Sequence, residues 1–133
     1  MKNNILTLIF LVMTFYVSGQ ESKSDPEFDP AFVHSVYFWL NNPDNEADRA
    51  AFEKAIHTLL VNSKYTKTNF LGIPPKSERE VVDDSFTYNL FVTFESADAQ
   101  EAYQVEEAHL AFIEEAQSLW RKVVVYDAQG KVE

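Results

Sequence analysis

The chain has 133 residues, with 21 Asp and Glu against 11 Lys and Arg and a formal net charge of −10. That length suits one domain. The acidic balance repels phosphate backbones and anionic headgroups, which argues against nucleic-acid and membrane-surface roles. There is no cysteine, so no disulfide supports the fold and no thiol is available as nucleophile or metal ligand.

Residues 1–19 read as a signal peptide. Lys2 precedes a thirteen-residue, mostly apolar stretch from Ile5 to Val17, and Val17-Ser18-Gly19 offers the small residues a signal peptidase needs. Cleavage is expected before Gln20, giving a periplasmic or secreted product. A membrane-spanning helix needs about 20 apolar residues, and this run is shorter and ends in Gln20-Glu21-Ser22-Lys23. No membrane association is expected after cleavage. The mature chain has 114 residues and a net charge of −11, ten cations against 21 anions. Residues 20–30 are rich in Ser, Asp, Glu and Pro and read as a flexible leader. One domain is expected from 31 to 127, followed by a C-terminal tail at 128–133.

In chain order, Phe32 to Leu40 is expected to be the first strand. Its even positions are Phe32, His34, Val36, Phe38 and Leu40, and its odd positions are Val33, Ser35, Tyr37 and Trp39. Asn41-Asn42-Pro43-Asp44-Asn45 breaks it and caps a helix from about Glu46 to Asn62, with Phe52, Ile56, Leu59 and Leu60 on one face. Lys67 to Ile73 reads as a second strand stopped by Pro74-Pro75, and 76–84 as a charged loop. Phe86 to Phe94 is the third strand. Phe86, Tyr88, Leu90, Val92 and Phe94 share one face, and Thr87, Asn89, Phe91 and Thr93 the other. Ser96 caps a second helical region reaching Trp120, and Val123 to Asp127 is the last strand.

The order is β-α-β-β-α-β, the split, ferredoxin-like α+β arrangement: an antiparallel four-stranded sheet with the helices on one face. The apolar strand faces should meet the helices. Tyr37, Trp39 and Phe91 lie on the opposite face, too much aromatic surface to leave in water, so a homodimer that packs sheet against sheet into an α/β barrel is expected.

The segments "FVHSVYFWL", "VVDDSFTYNLFVTFES" and "AYQVEEAHLAFIEEAQSLWRKVVVYD" resemble, in order and across the domain, the stress-responsive dimeric α/β-barrel (A/B barrel, Dabb) family. The resemblance implies a ferredoxin-like homodimer. Many members have no assigned activity. A plant member, olivetolic acid cyclase, closes a polyketide by an aldol-type condensation with a tyrosine and a histidine. Carried to this sequence, those residues are Tyr103 and His109, with His34 as a further pocket histidine. The chain departs from the family at one place: where a His-Pro-x-His pattern is usual, it has Glu106-Glu107-Ala108-His109.

His109 falls within the arc of Phe112, Ile113, Ala116 and Trp120 at about 100° per residue. It is either a neutral core histidine with satisfied ring nitrogens or a general base whose burial lowers its pKa. Six residues on a regular helix separate Tyr103 and His109 by some 120° and about 9 Å along the axis. They converge only if the helix breaks between them, and a retained break is the expectation. His34 shares its face with Val36 and Phe38 and is either a satisfied core histidine or part of a pocket wall that orients a carbonyl; in the second case those residues, with Phe112, are the candidate walls of a ligand site. His57 is expected at the surface. One Glu-x-x-His pair does not make a carboxylate-bridged metal site, and three glycines supply no phosphate-cradling loop. Neither a metal nor another cofactor is expected.

Two functions remain open. In the first, the domain binds a small apolar or aromatic molecule, or serves under stress, without catalysis. In the second it is a cofactor-free lyase or cyclase, with His109 as general base and Tyr103 donating to the oxyanion of a carbonyl substrate. The first ranks slightly ahead because of the missing His-Pro pair. A cavity of about 300 Å³ or more shared by Tyr103 and His109 would favour the second.

Overall fold

Nine consecutive β-favouring residues, Phe32–Leu40, form β1, the longest-paired strand of the sheet in the computed structural model, which describes residues 31–130. The signal peptide at 1–19, the leader at 20–30 and the last residues of the tail lie outside the described residues. The even positions of β1 are all buried, as their alternation predicts. Asn45 starts α1 (Glu46–Asn62) by accepting the Asp48 N–H at 3.0 Å. One stripe of that helix, Phe52, Ala55, Ile56 and Leu59, is buried. Leu60, expected in the stripe, is only half-buried at its edge, while Ala55 is inside.

The remaining elements are β2 (Asn69–Gly72), β3 (Tyr88–Phe94), α2 (Ala97–Val105), α3 (Glu107–Ala116), a 3-10 turn (Gln117–Leu119) and β4 (Trp120–Gln129). The sheet order is β2-β3-β1-β4 and every pairing is antiparallel. Phe38 on β1 meets Phe52 of α1 at 4.9 Å between ring centroids and Phe112 of α3 at 6.2 Å. Phe94 on β3 meets Tyr103 of α2 at 5.0 Å. All three helices therefore cover the even-numbered face of β1 and β3. This is the α+β, ferredoxin-like arrangement.

The structure corrects several expectations. β2 is shorter than 67–73: at its start the Thr68 N–H donates to the Thr93 hydroxyl at 3.2 Å instead of to a ladder carbonyl, and the Lys67 N–H donates to the Thr93 carbonyl at 2.9 Å. β3 starts at Tyr88 instead of Phe86. The Thr87 hydroxyl accepts the Leu40 N–H at 3.0 Å, a side chain replacing a ladder carbonyl, and regular pairing ends there. Thr87 is consequently buried, and the Phe86 ring turns to the opposite face, 4.9 Å from Tyr37. Trp39, expected on the wet side, is 8% exposed. Its indole N–H donates to Ser85 at 3.1 Å and the Lys122 ammonium sits 4.1 Å from its ring centroid, so the connection before β3 and a cation from β4 cover it. β4 is longer than 123–127 at both ends.

What stays on the outer face is still aromatic. Phe70 is 60% and Tyr126 65% exposed, Tyr126 lies 6.0 Å from Tyr37, and Phe91 stands opposite Phe70. No helix among the described residues covers them.

Candidate functional site

Register and one helix break assemble the site. On β1, His34, Val36 and Phe38 point toward the helices. β4 pairs with β1 so that His34 stands opposite Asp127, Val36 opposite Val125 and Phe38 opposite Val123. A directly opposed antiparallel pair brings side chains within reach, and His34 Nδ1 lies 2.6 Å from Asp127 Oδ1. The Nδ1–H donates to the carboxylate, which leaves Nε2 as the nitrogen available to a ligand.

The second helical region is not continuous. Glu106 has φ −69° and ψ 153°, an extended residue between the end of α2 and the start of α3. The break places Tyr103, the third-last residue of α2, against His109, the third residue of α3. Their ring centroids are 4.7 Å apart, and the Tyr103 ring is 6.0 Å from that of His34.

All six candidate residues, His34, Val36, Phe38, Tyr103, His109 and Phe112, line one cavity of about 370 Å³. Leu90, Ile113 and Trp120 extend its apolar wall. Asp127 and Gln104 complete its polar side, and sequence reasoning missed both. Asp127 was read only as a strand end. Its parity with Val123 and Val125 was visible, but its partner His34 is set by inter-strand register, which no local pattern encodes. Val123 and Val125, 36% and 46% exposed, form the solvent-facing rim of the cavity on β4, which no helix among the described residues covers there. His57 is exposed, as expected.

The electrostatics separate the roles. Burial lowers the His109 pKa below its ordinary value, with His34 contributing in the same direction; the Gln104 carbonyl and Glu106 oppose the shift. His109 Nδ1–H donates to the Gln104 carbonyl at 3.1 Å, so Nε2 of the neutral ring carries the lone pair. Burial, and after it the Glu106 charge, push the Tyr103 hydroxyl well above the usual phenol range. Tyr103 is 1% exposed and stays a neutral O–H donor at physiological pH. A neutral imidazole with a free lone pair beside a phenol that keeps its proton is a base next to a hydrogen-bond donor.

Comparison with known proteins gives the same fold. A model of the Stress responsive A/B Barrel Domain matches residues 32–129. Among solved structures, the hydroxynitrile lyase from Passiflora edulis is 19% identical with a TM-score of 0.65, covering 77% of this chain and 95% of its own. A dabb family protein with a ferredoxin-like fold from Mesorhizobium loti is 15% identical, TM-score 0.63, covering 76% and 97%. A dimeric protein of unknown function with a ferredoxin-like fold from Bacteroides fragilis is 16% identical, TM-score 0.59, covering 77% and 100%. No curated protein matches in sequence.

Proposed function

The chain belongs to the stress responsive A/B barrel domain family, and from that premise we propose that it is an exported homodimer that performs cofactor-free proton transfer on a small apolar or aromatic carbonyl compound. The observation that carries this reading is the placement of the Tyr103 and His109 rings 4.7 Å apart on one cavity of about 370 Å³. A collapsed interior would have left only a packed domain. The cavity is large enough for a compound of one ring or a short chain, and its wall is mostly aliphatic and aromatic.

In this reading His109 Nε2 removes a proton α to the carbonyl. The C–H electron pair moves into the new C=C bond and the carbonyl pair onto oxygen, and the Tyr103 O–H donates to the resulting enolate. His34, oriented by Asp127, is the second polar group beside that oxygen. The enolate carbon then attacks a second carbonyl group of the substrate, the C=O pair of that group moves onto its oxygen, and the imidazolium returns its proton to the resulting alkoxide. The name of the Passiflora neighbour, a hydroxynitrile lyase, supports carbon–carbon bond chemistry at a carbonyl-level carbon and does not bear on which proton is removed. The dimeric neighbour and the aromatic outer face, Phe70 and Tyr126 above all, support the homodimer. The sequence at 1–19 supports export, and a mass spectrum of the exported product beginning at Gln20 is the expected check.

A second reading, capture of such a molecule without turnover, is favoured by the apolar character of the wall. One experiment separates the two. The purified protein is incubated in D₂O with a panel of aromatic and aliphatic ketones, and loss of the α-proton signals is followed by ¹H NMR. Catalysed exchange, abolished by His109→Ala, supports proton transfer. Saturable shifts of the Trp120 indole signal without exchange support capture. Neither exchange nor shifts removes both readings.

A further inference from the structure

We infer that Glu106 is a positioning residue: its carboxylate, held by the backbone N–H of Lys64, sets the break between α2 and α3 that turns the Tyr103 and His109 rings onto each other. The consequence for rate rests on the proposed proton transfer; the geometric claim does not.

The local sequence favours a helix start at Glu107 through its carboxylate but does not force a break. Gln104-Val105-Glu106-Glu107-Ala108 contains neither Gly nor Pro, and Gln, Glu and Ala are good helix formers. A proline would impose the break by removing an N–H and clashing with the preceding turn, and none is present. Nor does a cap explain it, since α3 has no side-chain cap hydrogen bond at its start. The stabilising contact is long-range. Glu106 Oε2 accepts the Lys64 N–H at 3.1 Å, across 42 residues of chain, from the connection that leaves α1. Lys64 follows Ser63, whose own N–H closes α1 on the Leu59 carbonyl at 2.8 Å, so the donor is fixed to the end of a packed helix.

The carboxylate occupies this place at a cost. Glu106 Oε1 is buried and has no partner among the described residues, and leaving a polar atom unpaired in the interior is unfavourable. A side chain chosen only for stability would avoid that arrangement. With one residue held extended at ψ 153°, the helical rotation that would part Tyr103 and His109 by about 120° is cancelled, and the two rings meet.

The test uses full-length protein and NMR. Wild type is expected to show nuclear Overhauser contacts between the Tyr103 and His109 rings. Glu106→Gln, whose amide oxygen still accepts the Lys64 N–H, is expected to keep them, and Glu106→Ala to lose them. Glu106→Ala combined with Glu107→Pro is expected to restore them. Proline suits the first position of a helix and drives the residue before it into the extended region that Glu106 already occupies. Ring contacts intact in Glu106→Ala, or absent in a folded double variant, would overturn the inference. If Glu106→Ala alone does not fold, Lys64→Pro, which removes the donated N–H behind an already extended Ser63, is expected to lose the ring contacts, and their persistence in folded Lys64→Pro would overturn the inference. The exchange rate is expected to fall by about 100-fold in Glu106→Ala and to recover in the double variant, since small misplacements of reacting groups cost that much. Ring contacts that follow this pattern without any exchange activity in wild type would support the positioning role and count against the proton-transfer reading instead.

Discussion

His34 and Asp127 are bonded Nδ1 to Oδ1 at 2.6 Å across adjacent antiparallel strands, although 93 residues separate them in the chain. The contact orients an imidazole that is buried, using a carboxylate whose side chain is 42% exposed. The rim location limits what the pair contributes to stability and leaves orientation as its main effect.

Asp127→Ala is therefore expected to change stability by no more than about 1 kcal/mol, the range for pairs open to water. Exchange activity is expected to fall by about 10- to 100-fold, less than loss of an acid–base group itself, because Asp127 acts by orienting His34. Asp127→Asn keeps an acceptor for the Nδ1–H and is expected to lose less. Urea midpoints and exchange rates on the same preparations check both statements.

His109 is expected to titrate below the ordinary histidine value, because burial disfavours its charged form. The sign follows from proton counting. Between the folded pKa and the unfolded value of about 6.5 the unfolded chain binds more protons, so stability rises with pH through that window. The stabilisation held by the neutral ring is present above about pH 6.5 and is lost as pH falls through the folded pKa. Exchange activity is expected to rise through the same folded pKa and stay level above it. Following the His109 ring carbon-bound protons by NMR across pH 4 to 8 checks the midpoint, and an imidazole still charged at pH 7 would exclude it as the base.

Tyr103→Phe distinguishes chemistry from packing. The ring makes contacts with Phe94, His34 and His109, and all of them survive the substitution. The hydroxyl has no hydrogen-bond partner among the described residues, so stability is expected to change by less than about 1 kcal/mol. Loss of the donor to a developing oxyanion is expected to lower the rate by about 100-fold. A variant as active as wild type would remove Tyr103 from the mechanism.

The outer sheet face is tested by charge. Tyr126 is 65% exposed and stands against Tyr37, so Tyr126→Asp places a carboxylate where two sheets are proposed to meet. Sedimentation of wild type at micromolar concentration is expected to give a dimer, and the variant a monomer whose far-ultraviolet circular dichroism is unchanged. A wild type that sediments only as a monomer would remove the proposed interface.

Much of the fold was legible because it is written in period-2 and period-3.6 patterns. β1 and α1 have the bounds that alternation, the Asn45 cap and the Asn-Pro break imply. The misreadings have a common cause, in that long-range contacts overruled local pattern. Phe86 continues the apolar alternation of β3, but the Thr87 hydroxyl captures the Leu40 N–H and turns it to the other face. Trp39 has outward parity, yet Ser85 and Lys122 enclose it. At the site, His34 and His109 were recognisable from the resemblance and from their inward faces, and Tyr103 from the resemblance alone. Asp127 was not, because only strand register brings it to His34. The helix break was an expectation of the fold, and the Lys64–Glu106 bond that accompanies it is invisible to any local reading.

The uncovered flank of β4 has a kinetic meaning. With Val123 and Val125 at the rim, the proposed guest would slide over the strand to the imidazoles with no helix among the described residues to displace. Its arrival and departure would then be governed by diffusion and by its own greasiness, and the same doorway would admit bulk solvent to the proposed enolate.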